Sequence, residues 1–234
     1  MRQVYRRLGA QALGAALLVS VLPSAIAVVL APGAATPLPT GTPELAGTLV
    51  NEVFRPWVID TPGPGEISGS VQDRVVRTAS GTLDFYTRIF VSSVPTTPGG
   101  TTPPPFSGIE LASRSIYSSF MTDVDWVNDK PGHTAPTEAN RTADGSAVSF
   151  VFGTQRVTPA DQPDGSILFY IRTNATDYNA EGWLNLGTNQ GTSPSFTHFI
   201  NVFQPVAAIP EPGTWAMLLA GIMGVVGVAR RRLS

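Results

Sequence analysis

The 234-residue chain contains no cysteine, which excludes disulfides, thiolate metal sites and cysteine nucleophiles. Histidine is nearly as scarce, with only His133 and His198 present. A Ser-His-Asp triad assembles in space, so their wide separation does not by itself exclude one. No Gly-x-Ser-x-Gly elbow accompanies them, however, and both read as surface or hydrogen-bonded structural histidines. Charge is sparse at 14%, and much of the basic charge sits at the ends. Residues 1–27 hold three Arg and no acid, and 230–232 are three more Arg. Nine of the fifteen basic residues therefore lie between 28 and 209, against sixteen of the seventeen acids. A body this acidic lacks the clustered Lys and Arg that phosphate recognition needs, so no nucleic-acid partner is expected.

The ends carry addresses. Arg2, Arg6 and Arg7 precede an apolar run over residues 8–22; Pro23 interrupts it before Ala25-Ile26-Ala27. This is the layout of a secretory signal peptide over residues 1–27, with the small Ala25 and Ala27 at the cleavage site and signal peptidase as processing partner. The competing arrangements are an uncleaved N-terminal anchor or a later cut near Ala34 or Ala35. At the other end, Pro210-Glu211-Pro212-Gly213-Thr214 leads into an apolar segment, 215–229, that stops at Arg230, Arg231 and Arg232. Fifteen helical residues span roughly 22 Å, short of a hydrocarbon core of about 30 Å; snorkelling Arg and local thinning close the gap. Because positive charge stays cytoplasmic, the Arg cluster orients the body away from the cytoplasm, in agreement with the signal peptide.

Pro210, Glu211, Pro212, Gly213, Thr214 and Trp215, followed by a helix containing Gly221, Gly224 and Gly227 and then an Arg cluster, resemble the PEP-CTERM sorting domain of Gram-negative bacteria. The resemblance covers 208–234. It implies recognition and cutting by exosortase, an integral membrane enzyme of bacteria that make exopolysaccharide. The alternative is a plain tail anchor with a stiff linker, since each Pro restricts its own φ and the residue before it.

Between these signals, 28–47 is rich in Pro and Gly and reads as an extended lead-in. A second Pro/Gly/Thr tract, 95–105, divides the rest; pieces of about 50 and 100 residues are small to fold alone, so it reads as a long loop within one domain. In 83–91, Leu83, Phe85, Ile89 and Val91 alternate with Asp84 and Arg88, the pattern of a half-buried strand. Residues 148–152 and 167–173 repeat this composition, and 48–54, 70–77, 183–186 and 197–203 are weaker strands. Turn residues such as Ala143-Asp144-Gly145 and Pro163-Asp164-Gly165 punctuate them. The expected fold is all-β, a single antiparallel β-sandwich ectodomain over 48–207, with Phe85, Ile89, Phe150, Phe152, Phe169 and Ile171 in its core. Stretches 69–75, 81–86, 141–145 and 172–176 are similar to a recurrent ectodomain of PEP-CTERM proteins, and that similarity implies no activity.

Chemistry-bearing candidates are few. Asp123, Asp125, Asn128 and Asp129 place four oxygen-bearing side chains within seven residues, but without the spacing and terminal Glu of an EF-hand loop. They read as a solvated strand end, and no metal or cofactor is expected. Trp126, Trp183, Tyr178 and Asn185 could stack on and hydrogen-bond a sugar, although sandwich aromatics are usually core. Asn140-Arg141-Thr142 and Asn174-Ala175-Thr176 match a glycosylation pattern that polar turn and strand residues also satisfy. The leading expectation is a noncatalytic cell-surface or extracellular-matrix protein. It would be exported, anchored in the inner membrane until exosortase acts, and associated with exopolysaccharide if with any polymer. A carbohydrate-binding module and an enzyme acting on extracellular polymer are the alternatives.

Overall fold

The computed structural model of the chain describes residues 28–38, 41–42, 47–61, 65–95, 107–163, 165–188, 196–207 and 217–223. Twelve strands appear among them: β1 (Val28–Val29), β2 (Ala35–Pro37), β3 (Thr48–Asp60), β4 (Glu66–Arg77), β5 (Leu83–Ser93), β6 (Leu111–Ser115), β7 (Thr122–Val127), β8 (Glu138–Arg141), β9 (Ala147–Val151), β10 (Leu168–Thr173), β11 (Asp177–Thr188) and β12 (Phe196–Val206). They form two antiparallel sheets, ordered β1-β7-β10-β5-β4-β3 and β12-β11-β6-β9-β8-β2. The chain is thus all-β in its body. The tract 95–105 joins β5 in the first sheet to β6 in the second, so its flanks belong to one folding unit.

Alternation decides which side chains meet between the sheets. In β5, Leu83, Phe85, Ile89 and Val91 enter the main core, while Tyr86 faces outward. The six core residues expected from sequence are all 1% exposed or less. Phe169 of β10 lies 4.6 Å, ring to ring, from Phe150 of β9 and 5.6 Å from Phe152, joining the sheets through aromatic contact. The outer face of the first sheet is not a plain wet surface. Val76, Tyr86, Val127, Leu168 and Tyr170 form a second buried cluster there, and Asp84 and Arg88 beside it are also buried.

The long edge strand β3 tolerates Pro56, since an edge position needs no N–H on its free side. Gly69, in the neighbouring β4, is required by close approach: a Cβ there would come within 1.9 Å of the Phe90 carbonyl oxygen and 2.8 Å of Trp57. The ladder between β4 and β5 shifts register at this point.

The Pro/Gly-rich segment after residue 27 joins the sandwich itself. β1 pairs with β7 and β2 with β8, so one short stretch supplies an edge to each sheet. Leu30 and Leu38 plug the core at 1% and 3% exposure. Arg141 fastens this segment from within. Its Nε donates to Gly145 O, Nη1 to Leu30 O and Thr122 Oγ1, and Nη2 to Tyr117 O and Phe120 O, at 2.8–3.1 Å. All five guanidinium donors are used, which is what allows a buried Arg.

Candidate functional site

The described chain approaches the C-terminal signal at the end of β12, Val206. Residues 217–223 are helical, with Met217, Leu218, Leu219, Ile222 and Met223 all exposed. No helix among the described residues is long and apolar enough to cross a membrane. Pro210, Glu211, Pro212, Gly213, Thr214, Trp215 and Arg230, Arg231 and Arg232 lie outside the described residues, as do Ala25 and Ala27.

The most heavily buried charges in the body are structural. Nη1 of Arg114 in β6 reaches across the sandwich to Asp73 of β4 at 3.0 Å and to Thr87 Oγ1 of β5 at 2.6 Å, and Nη2 donates to Phe203 O of β12. Asp73 Oδ2 accepts the Phe203 N–H at 2.7 Å, and Arg55 approaches that oxygen at 3.9 Å. The pair therefore binds both backbone groups of one residue in an edge strand, as a neighbouring strand would. Burial pushes the Asp73 carboxyl up against the pull of Arg114, the Phe203 N–H and Arg55. Such a site has no access to substrate, and its chemistry is adhesion between sheets.

A second charged set lies on the outer face of the first sheet. Arg172 of β10 stands opposite Asp84 of β5 and Asp123 of β7, and its Nε is 3.3 Å from Asp84 Oδ2. Burial raises the Asp84 carboxyl to about 6, with Arg172 opposing, and burial also raises Asp123 and Asp125. The four oxygen-bearing residues of 123–129 do not converge. Asp125 Oδ1 accepts the Trp126 N–H at 2.8 Å, and Asp129 pairs with Arg88. Among the described residues no group of three or more His, Cys, Asp or Glu could hold a metal ion. His133 Nδ1 is bound to Gly165 O at 2.9 Å, and His198 lies half-buried on β12 opposite Leu186. Asn140 Nδ2 donates to Glu138, and Asn174 Oδ1 accepts the Met121 N–H.

The four sugar-contact candidates separate. Trp126 points into the core at 9% exposure and donates through Nε1 to Leu38 O, so its ring is closed to a ligand. Tyr178 packs edge-on against Phe203, and its hydroxyl accepts from Asn51 Nδ2 at the flank of the sandwich. Only Trp183 and Asn185 share a face, two residues apart on β11. Opposite Asn185, on β12, stands Phe199, which the sequence reading passed over. Its signal was present: Phe199 is out of phase with the buried Ile200 and Val202, so alternation turns it outward.

Neither the curated proteins nor the solved structures contain a match to this chain. A family model does match part of it, over residues 208–232, immediately after β12. That model describes the PEP-CTERM protein-sorting motif, and the chain thus carries, beside its β-sandwich, the signal that supports export through the exosortase system.

Proposed function

We propose that the protein is a noncatalytic component of the cell surface or extracellular matrix of an exopolysaccharide-producing Gram-negative bacterium. The match at 208–232 carries this reading. In it, 215–229 holds the exported body at the inner membrane, with Arg230, Arg231 and Arg232 on the cytoplasmic side, until exosortase cuts. The uncovered, apolar helical turns at 217–223 fit a lipid surrounding better than water. The noncatalytic part draws on where the body's charges go: Asp73 and Arg114 join the sheets, Arg141 anchors the N-terminal strands, and Asp84 and Arg172 hold each other.

The test is intact mass and membrane fractionation in hosts with and without exosortase. The wild type should lose residues after the Pro-Glu-Pro region only in the competent host. Replacing Pro210-Glu211-Pro212 by three alanines should leave the signal-peptide-cleaved protein whole in the inner membrane. Equal processing of both forms, or none of the wild type, would leave a plain tail anchor.

A further inference from the structure

We infer that the outer face of the second sheet, around Trp183 and Phe199, binds a neutral, extended hexopyranose polymer. Both rings are open, at 44% and 59% exposure, and stand 6.4 Å apart at 82°. One ring can therefore lie beneath the C–H face of a sugar while the other borders it. Away from them runs a row with one side chain per strand: Phe199 on β12, Asn185 on β11, Ser113 on β6, Ser149 on β9 and Asn140 on β8. Neighbouring strands lie about 5 Å apart, close to the length of one sugar residue in an extended β-linked chain, so successive rings can meet successive strands.

The polar groups of this row suit hydroxyls. Ser113 and Ser149 hydrogen-bond each other at 2.9 Å, leaving acceptor capacity on both oxygens. Asn185 is half-buried, its Oδ1 closed off and without a hydrogen bond from the described chain, so a hydroxyl reaches that oxygen only if the amide turns outward; Asn201, opposite Trp183, is exposed. Charge selects against polyanions. The only Lys or Arg residues in the strands of this sheet, Arg114 and Arg141, are buried in the interior, and the bordering Glu138 and Glu181 are each engaged by a neighbouring Asn amide. The outer face of the first sheet differs, with Glu52, Arg74, Arg88, Arg172 and Asp123 across it. This inference rests on the noncatalytic reading in one respect: the polymer is held and not cut.

The test uses the full chain in a zwitterionic, sugar-free detergent and affinity electrophoresis through gels containing soluble β-1,4-glucan, β-1,4-mannan or, as the polyanion, alginate. Retardation by a neutral polymer is expected, weakened about tenfold or more in Trp183→Ala and Phe199→Ala and unchanged in Phe54→Ser on the opposite sheet. Circular dichroism checks that each variant folds, and Asn185→Asp, which adds a charge without removing a ring, should weaken the same binding. Product analysis of the gel lanes separates the two readings, since polymer shortening would overturn the noncatalytic reading and leave the binding face intact. Retardation by alginate alone, no retardation by either neutral polymer, or equal retardation of all variants would overturn the face assignment. So would sedimentation showing that Trp183 and Phe199 are buried in a dimer that the Ala variants dissociate.

Discussion

Removing Arg114 should damage the protein in a way that removing both members of its ion pair does not repair. In Arg114→Met, the Asp73 carboxylate remains in the core without its main partner, and Thr87 Oγ1 and Phe203 O lose their donor. Breaking a buried pair from one side costs about 3–5 kcal/mol. For a body of this size that lowers the melting temperature by roughly 6–20 °C, at about 2–4 °C per kcal/mol. A simple buried pair is often replaceable by two apolar residues at little cost. Here it is not, because Phe203 depends on it: the N–H donates to Asp73 Oδ2 at 2.7 Å and the carbonyl accepts from Arg114. Asp73→Leu with Arg114→Met removes both charges and orphans both backbone groups, each costing about 1–3 kcal/mol when buried. The double variant should therefore remain destabilised by about 2–6 kcal/mol. Urea unfolding followed by tryptophan fluorescence, with Trp57 in the core as reporter, measures both forms. A double variant within about 1 kcal/mol of wild type would show that the pair is an isolated charge contact and not an anchor for β12.

Two further variants test the other buried charges. Asp84 has a folded pKa of about 6, above the unfolded value of about 3.9. The folded state keeps a proton that the unfolded state has lost between these values, so stability falls as pH rises through this window, by up to about 3 kcal/mol. Asp84→Asn should flatten that fall between urea midpoints taken near pH 4 and pH 7, though not abolish it, because Asp73, Asp123 and Asp125 are raised too; an unchanged slope would refute the assignment. Arg141→Lys replaces five fixed donors with three, so at least two of the five acceptors Leu30 O, Thr122 Oγ1, Tyr117 O, Phe120 O and Gly145 O lose their bond to this side chain. It should cost about 2–4 kcal/mol and speed hydrogen exchange selectively at Leu30 and Gly33, whose amides bond to Thr122 O and Thr142 O; protection equal to wild type would count against it.

The readable parts of the fold were those in which local alternation and burial agree. In β5, β9 and β10 the apolar residues fall in phase, and the core residues expected from them are buried. Asp73 was also in phase with Val71 and Val75, and Arg114 with Ala112, so each had a local sign of burial. What alternation cannot supply is the partner, which lies 41 residues away on the other sheet. The same limit applies to 28–38. Its Pro and Gly content describes an extended chain correctly, yet the neighbours that turn it into β1 and β2 belong to β7 and β8. Trp126 and Trp183 show how phase separates like residues. Trp126 shares its phase with buried Val124 and points inward, while Trp183 alternates with buried Leu184 and points outward. The sorting motif was legible for a different reason, being a short contiguous signal that needs no tertiary partner.

The two halves of the protein meet in one strand. β12 carries Phe199 on the proposed binding face, Phe203 over the buried ion pair and, at Val206, the last strand residue before the matched motif at 208. As an edge strand it pairs only with β11, and a strand with one neighbour is the first to peel when its end is tethered to a membrane. The Asp73 and Arg114 contacts give it a second attachment, three residues from Val206, that does not depend on the β11 ladder. Phe199 lies seven residues, about 24 Å of strand, from that end. A cut beyond the motif therefore severs none of the described strands and leaves the ion pair and the aromatic face in place, so under the proposed function processing frees the body from the membrane without loosening the surface by which it would be retained outside.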